Sequence, residues 1–431
     1  MRRLILLMLM LSAAAVASAQ TGTWSGTIET QGVKLPLVFH LDDEAPAMDS
    51  PNQGAKGIPV QIERTVMGKL IVSIPSLAAS YEGFWLGERI VGNFSQMGAS
   101  FPLTLTPGDH KPNRPQTPQP PFPYTQEEVS FSNGDLTFNG TLVLPQSYSK
   151  ETPVLVMVTG SGVQNRDEEL FDHKPFAVIA DALARAGVAS LRYDDRGYAH
   201  QDADLNASTT EDLKNDALAA VKLLRSRFDK VGVLGHSEGG AIALMLAAEQ
   251  EVDFVVSLAG AVISSAEILV WQNKLALASA GIPEAEADAY CKLLAEAFDV
   301  AVNGGVMPRA DALDIPAALK QNYLAVLEQI RTPYMKYFLA MDMRPLLPEI
   351  SCPVLALNGT KDTQVEHESN LSALREGLPY NPKNQIESVE GVNHIFQRCT
   401  TGTVEEYALI EETIAPAVLD RIIKFALLAL D

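Results

Sequence analysis

The chain has 431 residues, 47% of them apolar, enough to build a large core and more than one domain. Its 53 Asp and Glu outweigh 33 Lys and Arg, for a formal charge of −20. That balance repels nucleic acid and anionic membrane surfaces and excludes both as expected partners.

The first nineteen residues read as an export signal. Arg2 and Arg3 form a positive start, Leu4 to Val16 an apolar stretch, and Ala17-Ser18-Ala19 a small-residue cleavage site. The apolar stretch is too short for a membrane span. No cysteine follows it, which argues against a lipid anchor. The expected product is exported, periplasmic or extracellular, with no stable membrane anchor. Composition leaves its oligomeric state open.

Residues 20–106 alternate short apolar runs with Gly and Pro, as in Leu35 to Leu41, Lys69 to Ile74 and Arg89 to Phe94. A small all-β domain, sheet or barrel, is expected there. Residues 107–123 hold seven prolines and read as a stiff linker. Beyond it, Glu128–Phe131 and Leu142–Leu144 suggest a hairpin, with Asn133-Gly134 and Asn139-Gly140 as turn residues. Strands then alternate with helices: Val154–Val158, Phe176–Ala186, Val188–Tyr193, Glu211–Ser226, Val231–Leu234 and Phe254–Leu258. This pattern predicts an α/β fold with a mostly parallel sheet covered on both faces. Residues 264–348 break the alternation with helical patterns and read as an inserted cap. Strands resume at Val354–Leu357 and Gln385–Val389, and a helix is expected from Ala415 to Leu430.

The chemistry centres on Gly235-His236-Ser237-Glu238-Gly239-Gly240. An apolar strand precedes this Gly-x-Ser-x-Gly and a small-residue helix follows, the context of a nucleophile elbow. Ser237 needs a general base, and the base needs an orienting carboxylate. In the order Ser…Asp…His, these should follow late strands. Asp362 and His394 stand in loops just past Val354–Leu357 and Gln385–Val389, with Glu366 and Asp194 as fallback acids. His236 is expected to pack locally, and His40, His110, His173, His200 and His367 fit the role of base less well.

An oxyanion hole needs two donors. The Glu238 backbone N–H is one. The other is expected from Thr159-Gly160-Ser161-Gly162, with Ser161 preferred and Gly162 next. A phosphate loop is excluded there because no Gly-Lys-Ser/Thr follows. The loops Arg166–Glu169 and Arg192–Gly197 are expected to form a bracing ion-pair network. An acidic member of them, or Glu238, could instead meet a substrate amine. No metal-binding or dinucleotide motif is present, so no metal or cofactor is expected. Cys291, Cys352 and Cys399 form no disulfide framework. Cys352 and Cys399 are the pair expected at one end of the sheet.

Together the blocks Gly160–Glu168, Arg192–Gly197, Gly235–Gly240, Leu357–Asp362 and Asn393–Gln397 resemble the α/β-hydrolase superfamily. They are most similar to its secreted bacterial esterase and serine aminopeptidase-like branch, over residues 124–431. Thr159-Gly160 stands where many members carry His-Gly. The resemblance implies a Ser237–Asp362–His394 triad, and members with a short β-domain before the hydrolase domain exist. The expected function is a serine hydrolase acting on a small-molecule carboxylic ester. The alternatives are an aminopeptidase or amidase with the same triad, and a non-catalytic binding module on the same fold.

Overall fold

The computed structural model describes residues 21–30, 33–42, 44–65, 68–200, 206–312 and 314–428. The expected export signal, the expected cleavage site and the last two residues of the expected C-terminal helix lie outside them. Two compact units are present. Of the described residues, one holds those up to Asn113 with Val404–Glu411, and the other those of Arg114–Thr403 and from Glu412 on.

The first unit is a nine-stranded antiparallel sheet: β1 (Thr23–Thr30), β2 (Val33–His40), β3 (Ala47–Ser50), β4 (Ala55–Pro59), β5 (Gln61–Arg64), β6 (Lys69–Ile74), β7 (Ala79–Leu86), β8 (Arg89–Gln96) and β9 (Ala99–Pro107). The order is β4-β3-β2-β1-β9-β8-β7-β6-β5. The outermost strands, β4 and β5, are joined through Val60 alone, so the sheet must curl round on itself. Its inner face is a separate core that includes Phe39, Leu70, Tyr81 and Leu105. Strands β3, β4, β5, β7 and β9 are not evident from the sequence because polar residues and Gly keep their apolar runs short.

The second unit contains β10 (Thr125–Asn133), β11 (Leu136–Leu144), β12 (Val154–Val158), β13 (Ala189–Tyr193), β14 (Val231–His236), β15 (Val255–Leu258), β16 (Val354–Gly359) and β17 (Gln385–Val389). They form one sheet in the order β10-β11-β13-β12-β14-β15-β16-β17. All neighbours from β13 onward in that order are parallel. The central strands are apolar throughout because both faces are covered. Val154, Val156, Val233 and Ala356 face one core, shared with the helices Thr210–Arg225, Glu238–Ala248 and His367–Gly377. Leu155, Met157, Leu234 and Leu357 face the other, shared with Pro175–Arg185 and Pro416–Leu428. This is the α/β-hydrolase architecture. From β12 the chain crosses first to β13 on one side and then to β14 on the other. The crevice at this switch lies beyond the C-terminal ends of β12 and β14.

Between β15 and β16 the helices Ser265–Ser279, Glu284–Asn303, Ala317–Gln329 and Pro333–Ala340 form the cap, around their own core of Tyr290, Leu294, Phe298 and Tyr323. Among the described residues no helix is long and apolar enough to cross a membrane.

Two expectations are corrected. Asn139-Gly140 is no turn: Gly140 lies inside β11 opposite Tyr193, and the hairpin turns at Gly134-Asp135. From Arg114 on, the proline-rich segment belongs to the second unit. The Arg114 guanidinium donates to the Phe171 carbonyl at 2.9 Å, and the Gln116 amide donates to the Ile414 carbonyl at 2.8 Å. Cys352 and Cys399 do not pair with each other. Cys352 precedes β16 whereas Cys399 follows β17. Because β16 and β17 run parallel, the two cysteines sit at opposite ends of the sheet, beyond the roughly 7 Å Cα separation a disulfide allows.

Candidate active site

Ser237 sits between the end of β14 and the helix Glu238–Ala248 with φ 54° and ψ −119°. Such a backbone costs on the order of 1–3 kcal/mol and must be held by its surroundings. Its N–H donates to the Leu258 carbonyl at 2.9 Å, which fixes the turn against β15. A side chain at Gly235 would overlap the Gly239 carbonyl, and one at Gly239 would overlap the Val158 carbonyl. Both positions therefore exclude any larger residue. The Glu238 N–H is the first of its helix and has no intrahelical acceptor.

Asp362 and His394 meet from the loops after β16 and β17. His394 Nδ1 lies 2.8 Å from Asp362 Oδ2, and both side chains are buried. Asp362 Oδ1 accepts the N–H groups of Gln364 at 2.7 Å and Val365 at 2.9 Å, so the carboxylate is fixed at both oxygens. Ser237 and His394 line one cavity of about 330 Å³, with Gly160, Ser161 and Glu238. The cap contributes Ile268, Leu269, Tyr334 and Phe338 to its wall.

The fallback acids stand elsewhere. Glu366 caps the helix His367–Gly377 through the Glu368 and Ser369 N–H groups, and Asp194 binds Arg166. Of the other histidines, His40 pairs with Asp49, His200 faces the Thr137 carbonyl, and buried His173 contacts Thr413 and Gln397. His236 is buried with Nδ1 at 2.9 Å from Glu168 Oε1 and Nε2 at 3.0 Å from the His394 carbonyl oxygen.

The loop after β12 passes directly over Ser237: a Cβ on Gly160 would stand 3.2 Å from Ser237 Cβ. The Gly160 N–H is taken by Glu168 Oε1 at 2.7 Å, leaving Ser161 as the next donor along the loop. Ser161 lines the cavity, whereas Gly162, with φ 102°, is not among the lining residues.

Glu238 is more engaged than its position in the motif suggests. Its Oε2 accepts the Ser161 and Tyr334 hydroxyls, each at 2.6 Å, and Oε1 accepts the Thr210 hydroxyl at 2.7 Å. Burial, with the adjacent Glu238 charge, pushes the Tyr334 phenol far above its ordinary range. Tyr334 and Thr210 carried no signal in the sequence, since a cap tyrosine and a helix-start threonine are unremarkable without their partner. The charge-rich loops form the expected network. Arg166 bridges Glu128 and Asp194, Arg192 pairs with Asp167, and Lys174 lies near Asp167 and Glu169. Glu168 turns inward to His236. No group of three or more potential metal ligands occurs among the described residues.

A family model described as serine aminopeptidase, S33, matches residues 173–396. Esterase EstD of Thermotoga maritima is 27% identical over 275 residues, covering 62% of this chain and 60% of its own length. The match thus spans less than two thirds of that relative. Among solved structures, Est1E from Butyrivibrio proteoclasticus covers 70% of this chain and 98% of its own, at 16% identity and TM-score 0.41. A proline iminopeptidase of Mycobacterium smegmatis covers 70% and 100%, at 15% identity and TM-score 0.44.

Proposed function

Because the chain belongs to the serine aminopeptidase, S33, family of hydrolases, we propose that it cleaves carboxylic esters with Ser237 as nucleophile, through an acyl-enzyme. The observation that carries this reading is the buried His394–Asp362 pair in the same cavity as the strained Ser237 elbow.

Ser237 Oγ attacks the ester carbonyl while His394 Nε2 takes its proton. Asp362 holds His394 in the tautomer with hydrogen on Nδ1 and stabilises the imidazolium. The Ser161 and Glu238 N–H groups hold the developing oxyanion, each typically worth about 10²–10³ in rate. His394 then protonates the departing alcohol oxygen. Water, deprotonated by His394, attacks the acyl-enzyme, and the acid leaves as Ser237 regains its proton.

The family description favours a second reading, an aminopeptidase with the same triad. It requires a carboxylate open to the substrate's ammonium group. Three hydroxyls already engage Glu238, which supports the ester reading, as does the esterase name of the Thermotoga maritima relative. Export is also proposed, from the charged, apolar and small-residue order of residues 1–19.

Turnover of p-nitrophenyl acetate against aminoacyl p-nitroanilides separates the two readings. Faster ester turnover, together with fluorophosphonate labelling that Ser237→Ala abolishes, is expected. Labelling that survives in Ser237→Ala would remove the nucleophile assignment.

A further inference from the structure

The partners of His236 bear on its protonation. Its Nε2 lies 3.0 Å from the His394 carbonyl oxygen, an atom that can only accept, so Nε2 carries a proton. Its Nδ1 lies 2.9 Å from Glu168 Oε1, which also receives the Gly160 N–H at 2.7 Å. One proton lies between Nδ1 and Glu168, and both outer partners favour the charged arrangement. The Gly160 N–H stabilises a carboxylate, and the His394 carbonyl stabilises an imidazolium.

We propose that His236 is a doubly protonated imidazolium at neutral pH that, with Glu168, ties the loop bearing Gly160 and Ser161 to the backbone of His394. It is thereby a positioning residue for the oxyanion donors and for the general base at once. The proposal rests on the catalytic reading of Ser237, Ser161 and His394.

The surroundings fit this role. Glu168 faces His236 from the loop before the helix Pro175–Arg185, and the Asp362 charge acts on it from the loop after β16. The His394 ring stands 4.7 Å away, centroid to centroid, and Phe176, Leu258, Ile395 and Phe396 close an apolar shell. Glu168 neutralises the imidazolium, so the pair adds no net repulsion when His394 is protonated during turnover. Burial opposes charge on His236, but Glu168 and the His394 carbonyl outweigh it and hold the imidazole above its usual range. A raised folded value means that the clamp is complete below the ordinary imidazole range and is lost as pH rises through the folded value. Activity should therefore fall on the alkaline side.

Histidine-selective 15N–1H spectra of the full chain at pH 7, assigned through the backbone, test the protonation directly. Two protonated ring nitrogens on His236 are expected, and one unprotonated nitrogen overturns the proposal. This readout does not depend on turnover, so failure of the esterase reading, seen as no hydrolysis and no fluorophosphonate labelling, remains distinct.

The positioning role is tested by two variants that each keep one donor. His236→Asn retains a donor near Nδ1, and His236→Gln retains one near Nε2. Each should lower kcat roughly 10- to 100-fold with little change in KM and abolish the alkaline limb of the pH profile. Glu168→Gln should move that limb to lower pH. A uniform loss of activity with the limb in its wild-type place overturns the role. Should the variants fold poorly, the spectrum of the unaltered chain still decides.

Discussion

The Tyr334 hydroxyl donates to Glu238 Oε2 across 2.6 Å, so a cap helix is tied to the residue that follows Ser237. The Ser161 hydroxyl shares that oxygen, which joins the cap, the loop after β12 and the elbow at one buried atom. A hydrogen bond to a charged group typically contributes about 1.5–3 kcal/mol. Tyr334→Phe should lower stability by about that amount and raise KM for esters. Glu238→Gln should show coupling to it of at least about 0.5 kcal/mol in a double-mutant cycle of urea unfolding. Additive effects would mean that the contact contributes nothing.

Asp362 accepts on both oxygens, and an asparagine has only one acceptor. If the amide oxygen of Asp362→Asn serves Gln364 and Val365, its NH₂ faces His394 Nδ1 and forces the proton onto Nε2. His394 can then no longer accept from Ser237. The expected fall in kcat is about 10⁴-fold, with fluorophosphonate labelling slowed and the melting temperature nearly unchanged. A loss of less than tenfold would remove Asp362 from the triad.

Gly239 is fixed by crowding. Any Cβ there meets the carbonyl oxygens of Val158 and Thr159. Gly239→Ala must push β12 and the elbow helix apart, at a cost of about 1–3 kcal/mol or more. A lower urea midpoint and impaired ester turnover are expected together, because the same displacement moves Ser161 away from Ser237. Wild-type values for both would show that the contact relaxes freely.

Asp195 caps the short helix Arg196–Ala199 and accepts the Gln164 N–H at 2.6 Å. Burial pushes its carboxyl up to about 6, against the opposing effect of these backbone donors. A raised carboxyl value favours the protonated folded state. Its contribution is therefore fully present below the unfolded value near 4 and is lost as pH rises through about 6. Asp195→Asn keeps the cap without the charge. The stability of wild type relative to this variant should decline between pH 4 and 6 and then level off. A flat difference across that window would contradict the assignment.

The central strands and the elbow could be read directly from the chain. A strand buried on both faces is a continuous apolar run, and Gly-x-Ser-x-Gly between such a run and a small-residue helix has one sharp turn available to it. Asp362 and His394 were also legible, because the chain order places them just past the last parallel strands. The curled sheet of the first unit was only half visible. Its strands expose alternate residues, and β4 and β5 lack sustained apolar periodicity. The turn at Asn139-Gly140 was misread because that dipeptide favours turns locally, whereas pairing with β13 requires a bare Cα at Gly140 for close approach.

Sequence alone determined the fold class and the three residues proposed for the chemistry, since both follow from short-range pattern and strand order. Tertiary structure alone decided the state of the acidic residues around them. Glu238, Glu168 and Asp195 are all acids, yet one is held by three hydroxyls, one faces an imidazole and a backbone amide, and one caps a helix. Those partners include Tyr334, Thr210, His236 and Gly160, the first three far from their acids in the chain and brought to them only by packing. The charge and hydrogen-bonding capacity of a buried carboxylate depend on what reaches it, and no local pattern encodes that.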